Sequence, residues 1–545
     1  MKSRSESLRS IAGQSFDVCV IGGGATGSGC ALDSQLRGFR TVQLEAGDYA
    51  SSTSGASTKM AHGGVRYLEE AIRGFDPKEY AVLRRALHER IRMLRNAPFL
   101  TTTKQFITPC FRRIDIPYFE IGLKLYDWIA GRDALAPSRY LSRDETLRLM
   151  PALAADRLVG SVTYTDGQFD DARYNITLVK TFTAAGGETL NYARVIALEK
   201  APDGKLQAAE VEDQLTHARF TFRARAFINA TGPYADTVRQ MAMPAALPRM
   251  RLSKGIHILL PLEVLASEDA LLVPNTEDGR VLFAIPWHGR LLVGTTDDEA
   301  KLADELFVKK EEVAYVLRQL NKYLAQPATA NQIVSGTAGL RPLVSSGNAA
   351  ETKRLARDHE VEVDRASGLV SIMGGKWTTH RAMAEDTLNA VQKYLGDAGR
   401  KCSTLSHPLL GSDGYGPEYW QLLAARYALT EPTARHLAGK YGVCATDVLK
   451  LAEADPDLAR PILDGLAPIR AQVVFGARDE LAASIEDILA RRIGLQLYGW
   501  RDAIRAAPAV AELLARELRW PEAAERQAIA EYVAKIQGLI GKAGI

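Results

Sequence analysis

The sequence predicts an α/β fold with three parts: a nucleotide-binding domain on parallel strands, a second domain on an antiparallel sheet, and an all-α C-terminal domain. Three observations carry this. Val18-Cys19-Val20-Ile21-Gly22-Gly23-Gly24-Ala25-Thr26-Gly27 reads as strand, glycine turn and helix, and a second strand, Thr41 to Leu44, closes on Glu45. That is the opening of a Rossmann-like βαβ unit. Residues 250–300 are short β-rich runs broken by Pro261, Pro274, Asp278-Gly279 and His288-Gly289, the pattern of an antiparallel sheet. Beyond residue 416, Ala, Leu, Arg and Glu dominate, with helical periodicity in Leu481 to Leu497 and Ala509 to Ile536.

Each residue of the opening turn has a physical task. Gly22 lets the chain reverse sharply, Gly24 lets backbone approach a pyrophosphate, and Gly27 lets helix and strand pack closely. Ala25 and Thr26 place free N–H groups at the helix N-terminus, where the dipole favours phosphate. Glu45 is spaced to accept hydrogen bonds from an adenosine ribose. Together these predict a bound dinucleotide.

Composition bounds the remaining possibilities. With 545 residues the chain is too long for one core. A net charge of +3 is too small to argue for a nucleic-acid partner. The cysteines (Cys19, Cys30, Cys110, Cys402, Cys444) lie far apart, which speaks against a disulfide framework or a zinc site and for a reducing compartment. The histidines show no metal-ligand spacing, so no metal is expected. Residues 1–15 are polar, carry Lys2, Arg4 and Arg9, lack the apolar segment of a secretory signal, and read as a flexible tail. No run of about 18 apolar residues occurs, so no membrane span is expected, while binding to a membrane surface stays open.

In chain order, the opening unit leads to a Ser/Thr/Gly-rich loop, Ser51 to Thr58, and then to Lys59-Met60-Ala61-His62-Gly63-Gly64-Val65-Arg66-Tyr67. A basic amphipathic helix follows, with Tyr80, Leu83, Leu87, Ile91 and Leu94 on one stripe. A helix is expected over Arg173 to Ala184, strands near 193–199 and 219–229, and a helix over Lys309 to Leu324. The expected division assigns 16–66, 155–235 and 335–395 to the nucleotide-binding domain and 67–154 with 236–334 to a substrate domain. Residues 396–416 read as a linker and 417–545 as the helical domain.

Seven motifs stand in a fixed order: the dinucleotide turn, the Ser/Thr loop ahead of His62-Gly63-Gly64-Val65-Arg66-Tyr67, Ala230-Thr231-Gly232, Ile285-Pro286-Trp287, Gly294-Thr295-Thr296-Asp297, Leu340-Arg341-Pro342, and Gly374-Gly375-Lys376-Trp377-Thr378-Thr379. That order resembles the FAD-dependent glycerol-3-phosphate dehydrogenases, from about Phe16 to Ala384 and more weakly beyond. The resemblance implies an α/β flavoprotein with a discontinuous Rossmann-like FAD-binding domain, an antiparallel-sheet substrate domain and non-covalent FAD, which oxidises sn-glycerol 3-phosphate to dihydroxyacetone phosphate and reduces a membrane quinone. A peripheral position on the cytoplasmic side of the inner (plasma) membrane would follow. For the FAD it implies Gly22, Gly24, Ala25, Thr26, Gly27, Glu45, Ser52, Ser54, Ser57, Lys59, His62, Gly63, Gly64, Val195, Ala230, Thr231, Gly232, Gly339, Arg341, Gly375, Lys376 and Thr378.

That chemistry asks for a held phosphate, a proton acceptor for the C2 hydroxyl, and stabilisation of charge on the reduced ring. Arginine suits a phosphate because its planar fork gives paired, charge-assisted hydrogen bonds. Arg66, Arg341, Arg357 and Lys376, with Tyr67, are the candidates. His257 and His62 are the candidate bases, histidine having the free pKa suited to the role. Lys376 and a helix start capped by Thr378 or Thr379 would aim positive potential at the ring. An anionic membrane surface would meet Phe111 to Arg132, rich in Tyr118, Phe119, Ile121 and Trp128, or the basic helix Glu79 to Arg95. The helical domain would serve as a homodimer contact or a docking surface. Two other readings share the motifs or the class: a glycerol-3-phosphate oxidase using oxygen, and an amine-oxidising flavoenzyme. A non-catalytic FAD-binding protein is a third.

Overall fold

The computed structural model describes residues 4–64, 77–345, 358–397 and 399–545. Two sheets organise the molecule. The eight-stranded sheet runs His359–Val363, Val370–Gly374, Arg219–Asn229, Ser15–Ile21, Thr41–Leu44, Glu188–Leu190, with a meander of Ala193–Lys200 and Leu206–Asp213 beside Arg219–Asn229. Its central strands are parallel: Ser15–Ile21 pairs Thr41–Leu44 on one side and Arg219–Asn229 on the other. The helices Ala25–Leu36 and His380–Leu395 pack together over Val18, Val20, Ala226 and Ile228. Buried on both faces, these strands read as continuous apolar runs.

The ten-stranded sheet centres on Met250–Pro261, which pairs antiparallel with Ser335–Val344, Arg290–Gly294 and Asp298–Ala300. Thr101–Cys110 and Gly160–Phe169 extend it through an antiparallel ladder. Gly160–Phe169 and Ser335–Val344 thus belong to the antiparallel sheet. The expected boundaries had put both in the nucleotide-binding domain, since sequence order does not tell which sheet a strand joins.

Residues 4–12 form a helix rather than the expected flexible tail. Leu8 and Ile11 are buried against the parallel sheet, and Arg4 pairs with Asp213 at 2.8 Å. Within the expected linker, residues 399–416 are also fixed: Leu409 N–H donates to the Asn96 carbonyl and Leu410 N–H to Thr181 Oγ1. The C-terminal part is helical as expected, with two differences. Asp487–Arg492 is one π-helical turn, and the periodicity through Ala509 to Ile536 splits into Trp500–Leu518 and Glu522–Ala543. Arg519 is left-handed (φ 57°) just before Trp520-Pro521, which ends the first helix.

Candidate active site

The carboxyl ends of four parallel-sheet strands converge, and the sequence places a motif at each: Gly22 after Ile21, Glu45 after Leu44, Ala230 after Asn229 and Gly375 after Gly374. Crevices of this kind outside strand ends bind nucleotides. The glycines meet real crowding. Gly22 has φ +118°, and a Cβ there would stand 2.6 Å from the Ala230 carbonyl oxygen; a Cβ on Gly27 would stand 2.1 Å from that of Gly22. Glu45 Oε2 accepts from Gly23 N–H at 2.5 Å and Oε1 from Gly47 N–H at 2.8 Å, so its carboxylate braces the turn while burial raises its pKa. Val195 is a core residue on the neighbouring strand, opposite Val211.

The Ser/Thr loop joins the two sheets. Ser54 Oγ accepts from Ala25 N–H at 2.9 Å, in the first turn of the dinucleotide helix that also holds Thr26. Thr53 Oγ1 donates to the Leu340 carbonyl at 2.7 Å, and a Cβ on Gly339 would be 2.7 Å from that of Ala56. Ser57 Oγ accepts from Lys59 N–H at 3.1 Å, and Lys59 forms an ion pair with Asp171 that is buried on both sides. Ser52 is exposed at the loop's outer edge.

On the facing sheet, Arg341 and His257 come together. Ser253, Gly255 and His257 pair with Arg341, Gly339 and Thr337. Arg341 lies across Gly255, where a Cβ would stand 2.1 Å from Nη2. Its Nη2 donates to Thr295 Oγ1 at 2.6 Å, and Nη1 reaches Ser253 Oγ and Asp297 Oδ1 at 3.4 Å. His257 is 2% exposed. Its Nε2 is 3.0 Å from Thr58 Oγ1, and its Nδ1 has no hydrogen-bond partner. Burial first, then the Arg341 and Lys59 cations, hold its pKa down to about 3, so the ring is neutral near pH 7.

The third wall is Gly374-Gly375-Lys376 running into the helix His380–Leu395. Both glycines have positive φ, 73° and 80°. Neither threonine caps this helix through its side chain, contrary to expectation. Thr378 Oγ1 accepts from His62 N–H at 3.2 Å, which joins two distant segments, and Thr379 Oγ1 donates to the nearby Lys376 carbonyl. Thr231 Oγ1 donates to Asn229 Oδ1 beside the Gly232 turn. Gly63 and Gly64 follow His62, and Gly64 has φ 96°. Arg66, Tyr67 and Arg357 lie outside the described residues.

Sequence reasoning missed several supports. Asp171 holds Lys59, and Asn175 Nδ2 donates to the Gly23 carbonyl at 2.8 Å. Thr295 and Asp297 stand inside a quoted motif but had no assigned task. Only the strand pairing of Met250–Pro261 with its neighbours puts them against Arg341. The Asp170-Asp171 pair opening a helix was the one local signal, since acids favour helix N-termini.

The helix Ala25–Leu36 opens on Gly24, whose missing side chain leaves room for a pyrophosphate, while the Ala25 N–H expected to be free is taken by Ser54 Oγ; a flavin ring needs a flat, partly cationic slot, and Lys376 follows the Gly375 strand end with Arg341 on the other sheet. The residues present fit FAD. Comparison with known proteins agrees. The family described as FAD dependent oxidoreductase matches residues 17–387, and the family described as the C-terminal domain of alpha-glycerophosphate oxidase matches 402–525. Mitochondrial glycerol-3-phosphate dehydrogenase from Bos taurus is 38% identical over 94% of this chain and 72% of its own length. The Arabidopsis thaliana enzyme is 36% identical over 95% and 86%. The solved glycerol-3-phosphate dehydrogenase of Bacillus halodurans, complexed with FAD, superposes with TM-score 0.81 at 29% identity, covering 98% of this chain and 97% of that one. The L-alpha-glycerophosphate oxidase of Mycoplasma pneumoniae, at 19% identity and TM-score 0.56 over 70% and 95%, shares the fold. Matched along nearly its whole length, with strand ends shaped for FAD, this chain belongs to the FAD-dependent glycerol-3-phosphate dehydrogenases.

Proposed function

We propose that the protein oxidises sn-glycerol 3-phosphate to dihydroxyacetone phosphate and passes the electrons to a membrane quinone. The observation that carries this reading is a neutral, buried histidine beside an arginine already aimed by three oxygen partners. Arg341 grips the substrate phosphate, helped by Arg66, Tyr67, Arg357 and Lys376. His257 takes the C2 hydroxyl proton, with His62 as the other candidate. The Arg341 cation that depresses His257 is offset once a dianionic phosphate sits on it, so the base strengthens when the correct substrate arrives. FAD, when bound, would supply the acceptor for the C2 hydride. Lys376, with the amides that open the helix His380–Leu395, supplies fixed positive potential for the resulting charge.

The quinone reading is supported by the helix Asp115–Ala130. Its inner face buries Leu123, Tyr126 and Ile129, while Ile114, Tyr118, Ile121 and Trp128 are exposed, the last two by 67% and 71%. Lys124, Arg112, Arg113 and Arg132 flank that face. No helix among the described residues is long and apolar enough to cross a membrane. A peripheral enzyme on the cytoplasmic side of the inner membrane, resting on anionic lipid through this face, fits both facts.

The test is anaerobic mixing with glycerol 3-phosphate beside unphosphorylated glycerol. The first should bleach the flavin and the second should not. Peroxide formed in stoichiometric yield in air, with no reduction of a quinone analogue, would instead make it an oxidase. Turnover of sarcosine or glycine would make it an amine oxidase.

A further inference from the structure

Three buried polar side chains meet behind His62. Tyr126 Oη donates to Asp166 Oδ2 at 2.9 Å, Arg90 Nη1 donates to Asp166 Oδ1 at 2.9 Å, and Gly63 N–H donates to Tyr126 Oη at 2.9 Å. Arg90, Tyr126 and Asp166 are each at most 1% exposed. Arg90 also donates to the Asp133 carbonyl at 3.0 Å, which anchors the far end. Desolvation of a charged pair is costly, and here the pair is linked to a motif residue through Tyr126 Oη, which accepts from the Gly63 amide.

That amide belongs to the peptide between His62 and Gly63. A trans peptide is planar, so aiming its N–H at Tyr126 aims the His62 carbonyl the opposite way. The peptide before His62 is fixed too, because His62 N–H donates to Thr378 Oγ1 at 3.2 Å. With both flanking planes held, φ and ψ of His62 are set, and with them the direction of its Cα–Cβ bond. Gly63 is required for this contact: a Cβ there would stand 2.8 Å from Tyr126 Oη and 2.7 Å from Leu87 Cδ2. The glycine makes room for the phenol and for the basic helix Pro77–Asn96 that carries Leu87 and Arg90.

We propose that Tyr126 is a positioning residue for the active site, its hydroxyl, held by the Asp166–Arg90 pair, fixing the His62–Gly63 peptide and so the placement of His62 against the cofactor turn. Its link to turnover rests on the glycerol 3-phosphate reading above; the geometry does not. Tyr126 also lies on the inner face of the helix whose outer face is exposed and apolar, so that helix contacts both its surroundings and the catalytic segment.

The holoenzyme with Tyr126→Phe tests this, since phenylalanine keeps the ring and removes only the hydroxyl. Expected are retained FAD, a shifted visible circular dichroism of the flavin, and anaerobic reduction by glycerol 3-phosphate at saturation slowed by about tenfold or more, with little change in KM. Asp166→Asn should move the same readouts in the same direction. Hydrogen exchange at the Gly63 amide is measured beside them on wild-type holoenzyme and should be slow. A rate within twofold of wild type with unchanged flavin dichroism overturns the proposal, as does a Gly63 amide that exchanges like an unfolded chain if the variants lose their flavin. Should the wild type fail to bleach with glycerol 3-phosphate, the substrate reading falls, while dichroism and exchange still decide the role of Tyr126.

Discussion

Arg341 shows how a surface-type residue becomes a binding group. Thr295, Ser253 and Asp297 fix its guanidinium, and Gly255 leaves the space it crosses. A charge-assisted contact to a phosphate is worth about 2–3 kcal/mol, so Arg341→Ala should lower kcat/KM for glycerol 3-phosphate by roughly 30- to 150-fold while FAD stays bound. Steady-state kinetics with a quinone analogue check this. The buried histidines make a second residue-scale prediction. His257 is held near pKa 3 and His380 near 4, each first by burial. Below about pH 6.5 the unfolded chain takes up protons that the folded chain refuses, so stability is full above that pH and falls on acidification toward 4. His380→Gln removes one such group. Between pH 6.5 and 5 it should lose about 2 kcal/mol less stability than wild type, seen as a flatter plot of Tm against pH.

Elements here act by what they join. The loop Ser51–Thr58 ties the dinucleotide helix through Ser54 and the substrate sheet through Thr53, so it closes the cofactor crevice from both sides. The glycine turn is the least forgiving element. Gly27→Ala would force a Cβ onto the Gly22 carbonyl at 2.1 Å, and the purified protein should be largely colourless, with a flavin-to-protein absorbance ratio well below wild type. The helix Asp115–Ala130 predicts the opposite pattern. Ile121→Glu with Trp128→Glu should abolish sedimentation with anionic liposomes and leave anaerobic flavin bleaching intact. At this scale the sequence was a good guide: the βαβ unit, the helix near 173–184, the strands near 193 and 219, and the interrupted sheet of 250–300 all carry local periodicity or turn chemistry. The supposed threonine cap was not legible. Whether a hydroxyl turns back to its own helix or out to His62 depends on a partner more than 300 residues away in the chain.

At the scale of the molecule, the helical C-terminal part is not an appendage. One apolar core runs from Ile256, Ile258 and Leu271 of the antiparallel sheet into Leu437, Val473 and Leu513 of the helices. Ion pairs cross the same boundary: Arg492 and Arg491 to Asp48 at 2.5 Å, Arg173 to Glu480 at 2.5 Å, and Lys440 to Asp170 at 2.5 Å, those of Arg492 and Arg173 buried on both sides. Asp48 lies three residues past Glu45, and Asp170 beside the partner of Lys59, so the C-terminal helices brace both ends of the cofactor site. Breaking a buried pair typically costs about 3–5 kcal/mol. Arg492→Leu should therefore lower Tm and raise FAD release in parallel, measured by flavin fluorescence during a thermal ramp.

By itself the sequence determined the cofactor class, the order of the motifs and the character of each local element, because glycine turns, caps and apolar periods act over a few residues. Only the tertiary structure decided which sheet each strand joined, that residues 4–12 and 399–416 were pinned, and which oxygens aim Arg341. Those outcomes depend on burial and hydrogen bonds between segments hundreds of residues apart, and a linear pattern holds no record of which distant surface will exclude water from a given side chain.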